Sequence, residues 1–380
     1  MAKKTLAIIF GGRSVEHEIS LISAQNILEA IDRNKFTVIL IGIDIENRFW
    51  LLNPKQPFLN PESPETIKLN LKKGKLVVFL PGQSKVLMGV EDKSIKLTVD
   101  IVFPVLHGAF GEDGTIQGLL KISDIPVVGS DVLGSAIGLD KDVSKRLLKE
   151  AGIPVAKFLT FESEKQVLAD WHEIISKLDL PLFVKPVNTG SSVGINKVQN
   201  EPEFEKAVAE AFRYDKKIII EQAIKGREIE CSILGNGQPI VSLPGEIIPK
   251  DEFYSYRAKY LDKNGAVLKA PIKLPNKITE TIQELSLKAY KVLNSEGMAR
   301  VDGFLTEYGR YYINEINTIP GFTNISMYPK LWEVSGLTYK KLVDRLIQLA
   351  MERFKREKTI RTSYKRSLKA TLINASKKLY

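Results

Sequence analysis

Ala299-Arg-Val-Asp-Gly-Phe-Leu-Thr-Glu-Tyr-Gly-Arg-Tyr-Tyr-Ile-Asn-Glu-Ile-Asn317 holds two strand-like runs, Arg300 to Thr306 and Tyr311 to Asn317, around a turn with Tyr308-Gly309. Side chains alternate along a strand with period two. Pairing Thr306 with Tyr311 would set Asp302 opposite Glu315 and Arg300 opposite Asn317, all four on one face. Directly opposed side chains have Cβ atoms about 4.5–5.5 Å apart, and like charges there repel. Two facing carboxylates therefore ask for a cation. Two carboxylates and an amide are hard oxygen ligands, suited to magnesium that bridges to phosphates. The competing reading is a solvated polar face on an edge hairpin. Val301, Leu305, Ile316 and Tyr312 are expected on the other, buried face. The adjoining Asn317-Thr-Ile-Pro-Gly-Phe-Thr-Asn324 places a glycine and several donors just beyond the acids, which favours the metal.

Upstream, the apolar run Leu182 to Val187 leads into Lys185-Pro-Val-Asn-Thr-Gly-Ser-Ser-Val-Gly194. Glycines let backbone N–H groups approach phosphate oxygens, serine hydroxyls add donors, and Lys185 can neutralise phosphate charge. The loop lacks the Gly-x-x-x-x-Gly-Lys-Ser/Thr order of a Walker A motif. Alone it reads equally as a flexible connection. In one chain with a magnesium hairpin, a nucleoside triphosphate site explains it better. A dinucleotide site fails, because Gly11-Gly12 follows the first strand without the Gly-x-Gly-x-x-Gly continuation.

The rest of the chain reads as α/β. Thr5 to Phe10 is an apolar strand, and the helix after it carries Ile19, Ile22, Ile27, Leu28 and Ile31 on one face. Phe36 to Ile43 and Val99 to Leu106 are further strands, the latter entering the loop His107 to Gly114. This alternation implies a mainly parallel open sheet with ligands at the carboxyl ends of its strands. The Pro- and Lys-rich stretch from Glu46 to Thr98 reads as an elaboration. Asp140 is expected to cap a helix that runs to Ala151. Strands are expected at Lys217 to Gln222 and Arg227 to Leu234, with Asn236-Gly237 as a turn. Gly245 to Gly265 reads as a long functional loop. Helices close the chain at about Lys277 to Asn294 and Tyr339 to Phe354.

With 380 residues and 44% hydrophobic content, two or three domains of roughly 100–200 residues are expected. No apolar run approaches the ~18 residues that span a bilayer, and no signal peptide is read at the start. The single Cys231 excludes a disulfide framework and suits a reducing compartment. His17, His107 and His172 have no zinc-like spacing. The net charge of +10 suggests nucleic acid until it is located. Residues 353–380 hold ten Lys and Arg and one acid, which leaves the body nearly neutral. The basic run is read as a solvated tail or helix end, and nucleic-acid binding through it as the rival.

A Lys-bearing strand, a Gly/Ser loop and a late hairpin with Asp, Glu and Asn resemble the ATP-grasp carboxylate–amine ligases. Four stretches are similar to the D-alanine–D-alanine ligase family: Gly11-Gly-Arg-Ser-Val-Glu-His-Glu-Ile-Ser20, His107 to Gly114, Phe253-Tyr-Ser-Tyr-Arg-Ala-Lys-Tyr260 and Asn314-Glu-Ile-Asn-Thr-Ile-Pro-Gly321. The likeness runs from about Leu6 to Ala350. It implies an N-terminal α/β domain (1–129), two ATP-grasp subdomains that sandwich ATP (130–220 and 221–350) and a basic tail (351–380). The implied reaction phosphorylates the carboxylate of one D-alanine with ATP, and the amine of a second attacks the acyl phosphate. The implied setting is cytoplasmic synthesis of peptidoglycan precursors by a homodimer, with no membrane or nucleic-acid partner.

The resemblance also implies roles. Glu16 would hold the first ammonium, and Ser191 would bond Glu16 and Tyr260 and close the loop. His107 would add charge and positioning. Lys141, Lys185, Ser192 and Lys259 would contact phosphates. Glu221 and the backbone of Ala223 and Ile224 would read adenine, Glu228 the ribose, and Phe304 would pack on the base. Asp302, Glu315 and Asn317 would hold two Mg²⁺ ions, with Mn²⁺ as a substitute. Arg300 and the N–H of Gly321 would form the oxyanion site, and Ser326 would take the second carboxylate. Without the resemblance, Glu16 equally suits the positive end of a helix. Glu221 and Glu228 would pass as edge-strand charges, Phe304 as packing and His107 as a structural donor. Two departures stand out: Gly303 where the family usually has a bulky apolar residue, and Arg257 where it is often acidic. Tyr260 favours an amine acceptor over the D-lactate of the depsipeptide-forming branch. That branch, or an ATP-grasp ligase for another amino acid, is the alternative.

Overall fold

Leu6, Ala7, Ile8, Ile9 and Phe10 are all fully buried, because the strand they form lies inside a sheet covered on both faces. A computed structural model describes residues 3–249 and 266–361. The expectations at Tyr256, Arg257, Lys259 and Tyr260 fall outside the described residues. Strands β1 (Lys4–Gly11) and β2 (Phe36–Ile43) pair in parallel. The stretch read as an elaboration supplies β3 (Phe49–Leu51), a separate hairpin of β4 (Phe58–Leu59) and β5 (Lys68–Leu69), then β6 (Lys75–Phe79), β7 (Val86–Gly89) and β8 (Lys96–Thr98). With β9 (Ile101–Val105) the sheet order is β8-β7-β6-β3-β2-β1-β9. Only the β2-β1-β9 part is parallel. The four outer strands add antiparallel, so the expected mainly parallel sheet is parallel only at its heart. Short hairpin connections let these strands add without crossover helices. Helix α1 (His17–Ala30) follows β1, and α2 (Thr115–Ile122) follows β9.

Helices α3 (Val132–Leu139) and α4 (Lys141–Glu150) lead into the second unit. Asp140 caps α4 as expected: its carboxylate accepts the Val143 N–H. The central sheet contains β10 (Phe158–Phe161), β11 (Leu182–Pro186), β12 (Asn196–Val198) and β13 (Ile218–Gln222), in the order β10-β13-β11-β12. It is backed by α5 (Glu164–Ala169), α6 (Trp171–Leu178) and α7 (Glu201–Phe212). The boundary expected at 220/221 falls inside β13, so Glu221 belongs to this sheet.

The third sheet is built from β14 (Arg227–Gly235), β15 (Ile240–Val241), β16 (Gly245–Pro249), β17 (Ala266–Lys269), β18 (Gly297–Leu305) and β19 (Tyr311–Asn317). Its order is β17-β16-β14-β18-β19, with β15 on β14 across the Asn236-Gly237 turn. The stretch 245–265 therefore begins as a strand. Helix α8 (Asn276–Val292) packs against this sheet, and α9 (Met327–Val334) and α10 (Tyr339–Glu357) follow it.

The hairpin β18–β19 contains a correction with a consequence. The turn is one residue tighter than expected: the Thr306 N–H bonds the Arg310 carbonyl, and Leu305 pairs with Tyr311. A bulge between Asp302 and Gly303, absorbed at Asn314 on the partner strand, restores the register. Asp302 thus faces Glu315 and Arg300 faces Asn317. A one-residue shift exchanges the faces of the β19 residues on its turn side, while Phe304 and Leu305 of β18 keep theirs. Tyr311 and Ile313 are therefore in the core, and Tyr312, expected there, stands beside Phe304 in a cavity.

Helix α10 runs to Glu357, past the expected start of a tail at 351. Its Arg353 is buried and donates to the carbonyls of Val127 (2.8 Å) and Gly129. The first cation of the basic run is thus a structural clamp.

Candidate active site

Two cavities adjoin, the larger between the second and third units and the smaller where all three meet. The larger, about 480 Å³, is within the range of small-molecule sites, roughly 300–1,000 Å³. Lys141, Lys185, Ser192, Glu221, Ile224, Glu228 and Phe304 all line it. Phe304 and Tyr312, directly opposed on β18 and β19, give it an aromatic wall. The second cavity is smaller. Glu16, His107, Arg300, Asn317, Gly321 and Ser326 line it. Gly190, Ser191, Ile247 and Glu315 line both, so the cavities adjoin along one wall.

The larger cavity is organised by a buried ion cluster. Glu221 accepts from Lys185 Nζ at 2.7 Å through one oxygen and lies 3.1 Å from Lys145 Nζ through the other. Burial alone would raise its pKa, but the two lysines outweigh burial and hold it at about 2. Burial drives the Lys145 ammonium below its ordinary value against the pull of Glu221. Lys145, 1% exposed, is a site residue that the sequence reading missed. Its position four residues after Lys141 on α4 was the available signal, since such pairs share a helix face. Asn314, lifted by the bulge, lies 3.5 Å from Lys185 Nζ. No sequence signal marks a bulge. Lys141 Nζ donates to the Thr189 carbonyl at 2.5 Å and lies 3.9 Å from Glu315. The N–H of Ala223 donates to the Pro181 carbonyl at 3.1 Å, and Ala223 is not among the residues that line the cavity, unlike its neighbours Gln222 and Ile224.

The Gly/Ser loop reaches across to the first domain. Ser191 Oγ donates to Glu16 Oε1, half of the bonding expected of it; Tyr260, the other half, is outside the described residues. Ser191 and Ser192 both have left-handed backbone, with φ of 51° and 61°. Such residues cost on the order of 1 kcal/mol each and concentrate at functional sites. The Glu16 carboxylate lies between two glycines: a Cβ at Gly190 would sit 3.0 Å from Oε2, and one at Gly108 3.4 Å.

On the hairpin, Arg300 grips Asp302 with two bonds of 2.8 and 2.7 Å, and its Nε lies 3.1 Å from Glu230. Asn317 donates to Asp302 at 2.9 Å. Asp302 is thus enclosed beneath the cavity walls, whereas Glu315 borders both cavities. Two carboxylates and an amide oxygen on one face, beside phosphate-ready lysines, fit a magnesium ion in donor chemistry. Among the described residues no group of three or more His, Cys, Asp and Glu is placed to hold a metal.

His107 Nδ1 donates to the Ile319 carbonyl at 3.0 Å. Burial pushes its imidazole below the ordinary range, against the pull of Glu16. Ser326 precedes α9, accepts the Thr323 N–H at 3.0 Å and shares a bond with the Thr323 hydroxyl at 2.8 Å. A side chain at Gly321 would meet Ser326 Oγ at 2.8 Å, so the two are in close contact.

Comparison with known proteins bears on what fills these cavities. Family models described as D-ala D-ala ligase N-terminus and D-ala D-ala ligase C-terminus match residues 5–130 and 147–348. The D-alanine--D-alanine ligase of Shouchella clausii (strain KSM-K16) is 53% identical over 365 residues, 96% of this chain and 99% of that relative. Among solved structures, the D-alanine-D-alanine ligase from Coxiella burnetii superposes with a TM-score of 0.81 at 39% identity, over 94% of this chain and 97% of that one. The VanG D-Ala:D-Ser ligase from Enterococcus faecalis does so with 0.81 at 38%, over 92% and 100%.

Proposed function

The chain belongs to the D-alanine–D-alanine ligase family, and from that premise we propose how its two adjoining cavities carry out the ligation. The protein is an ATP-dependent ligase that joins two D-alanine molecules for peptidoglycan synthesis. In our reading ATP occupies the larger cavity and both D-alanines the smaller. The adenine ring lies against Phe304, with the Ala223 carbonyl accepting from its amine, the Ile224 N–H donating to the ring and Glu221 beside it. Glu228 takes the ribose. Lys141, Lys185, Ser192 and Lys259 hold the phosphates. The observation that carries this reading is the shared wall at Gly190, Ser191 and Glu315. A γ-phosphoryl group in one cavity and a carboxylate in the other would meet there.

Glu16, fixed by Ser191, holds the ammonium of the first D-alanine. Its carboxylate oxygen attacks the γ-phosphorus, the bond to the bridging oxygen breaks, and ADP leaves. Asp302, Glu315 and Asn317 would hold two Mg²⁺ ions, with Mn²⁺ able to substitute; bound there, the metal neutralises charge on the transferring phosphoryl group. Ser326, at the positive end of α9, receives the carboxylate of the second D-alanine. Its amine, having released a proton to solvent, attacks the acyl carbon, and the second proton that the new C–N bond sheds goes to the departing phosphate. The tetrahedral oxyanion is met by Arg300 and the Gly321 N–H, donors already in position before charge develops. The C–O bond to phosphate then breaks and inorganic phosphate departs. We place the protein in the cytoplasm as a homodimer. No described helix is long and apolar enough to cross a membrane.

Phosphate release from ATP, measured with D-alanine, L-alanine, D-serine and D-lactate, tests this. D-Alanine should stimulate release and give the dipeptide; D-lactate should give little product. Release with D-alanine no faster than without it overturns the assignment. The D-serine arm matters because one superposing structure is a D-Ala:D-Ser ligase.

A further inference from the structure

Glu112 has no part in the chemistry above, yet it is buried beside it. Its Oε2 accepts the Gly108 N–H at 2.8 Å, and its Oε1 accepts the Ile319 N–H at 3.1 Å. The Ile319 carbonyl is the group that receives His107 Nδ1 at 3.0 Å. One residue of the third unit is thus gripped at both its backbone polar groups by two side chains of the first. Ile319 stands two residues after Asn317 and two before Gly321.

We propose that Glu112, working with His107, is a positioning residue that clasps Ile319 and thereby fixes the Gly321 N–H at the oxyanion site. The grip is rigid at its base. The Asp113 carboxylate accepts the N–H groups of Phe110 and Thr115, both at 2.9 Å. Gln117 donates to the Gly111 carbonyl at 2.7 Å, and Gly111 packs so closely on Leu106 that a Cβ there would come within 2.5 Å of it. A rigid loop of the first domain therefore transmits its position to a loop of the third. Misplacing a reacting group by about 1 Å can cost on the order of a hundredfold in rate. The hydrogen bonds of the clasp end on Gly108 and Ile319, neither of which lines the larger cavity, so ATP binding should feel it far less than the oxyanion site does. This inference rests on the ligase reading above.

The test is Glu112→Gln in the full chain. A glutamine keeps the shape but turns an NH₂ toward one of the two N–H donors, so one contact becomes repulsive. Expected is a fall in kcat on the order of tenfold to a hundredfold, with the KM for ATP within about twofold of wild type. His107→Asn should lower kcat similarly. The double variant should lose far less than the product of the two, because both act on Ile319. Should the glutamine variant fail to fold, Glu112→Asp keeps the carboxyl group and shortens the reach, and the same split in kcat and KM is expected. A folded variant with wild-type kcat, or parallel loss of kcat and ATP affinity, overturns the clasp. An inactive wild type overturns the ligase reading and the clasp with it; an active wild type with equally active variants overturns the clasp alone.

Discussion

Glu221 and Glu112 are both buried, and their neighbours move them in opposite directions. Lys145 and Lys185 outweigh burial at Glu221 and hold it at about 2, below its ordinary 4.5. Burial, then Glu16, push Glu112 up to about 8, against the N–H groups of Gly108 and Ile319. Linkage gives the signs. The depressed acid contributes stability that is present above 4.5 and lost as pH falls toward 2. The raised one contributes stability that is present below 4.5 and lost as pH rises through about 8. Unfolding followed across pH should therefore show Glu221→Gln flattening the acid limb and Glu112→Gln flattening the limb between 4.5 and 8. The opposite assignment of limbs would refute the cause given for each. Gly303 makes a steric prediction. A Cβ there would come within 2.5 Å of the Tyr311 ring, which occupies the space a larger residue would need. Gly303→Val should cost roughly 1–3 kcal/mol, as overpacked cores do. Adding Tyr311→Leu should recover part of that loss, and simple additivity in the cycle would sink the argument.

At the scale of elements, what could be read from the sequence was whatever repeats a period. β1, β2, β9 and β14 fall where their apolar runs put them, because a run such as Phe36–Ile43 can bury itself in few other ways, and α4 starts where its Asp140 cap puts it. The facing of Asp302 and Glu315 was anticipated through a turn that is in fact tighter, the bulge supplying the missing residue. Tyr312 shows the limit. Its face depends on a bulge set by tertiary packing, for which Asn314 carries no local sign. The outer strands β6, β7 and β8 were likewise hidden, since short half-exposed strands carry weak patterns. Glu112 was invisible, and Lys145 easily passed over despite its spacing from Lys141, for another reason: a charge is read as exposed until its buried partner is known. The bulge has a measurable role. Deleting Asn314, the extra residue, would join the Asp302–Glu315 and Gly303–Ile313 pairs into one continuous ladder with Tyr312 still opposite Phe304, and would remove the side chain that lies 3.5 Å from Lys185 Nζ. ATP affinity should fall severalfold while the protein stays folded; unchanged affinity would show that Asn314 does not shape the nucleotide site.

For the molecule as a whole, the basic run divides in two. Arg353 grips Val127 and Gly129, Arg356 pairs with Glu296, and Lys358 pairs with Asp124. These cations bind the last helix to the rest of the protein. Arg353→Ala would leave two buried carbonyls short of a charged donor, a loss of roughly 3 kcal/mol that thermal unfolding should register. The five cations from 362 to 380 lie beyond every site residue. A chain ending at Arg361 should keep wild-type phosphate release. Lost turnover, with nucleic-acid binding by the intact chain, would instead favour a nucleic-acid role.

Leu342, Val343, Leu346 and Ile347 of α10 share one buried cluster with Leu6, Ile8 and Phe10 of β1. A ribosome delivers residues in order, at about 5–20 per second, so more than 300 residues separate these partners by roughly 15–70 s. Throughout that interval one side of the first sheet stands open to water or to whatever chaperone attends it. The nascent N-terminal half cannot mature before the C-terminal helix emerges, and a ribosome that stalls short of it releases a chain with a sticky flank.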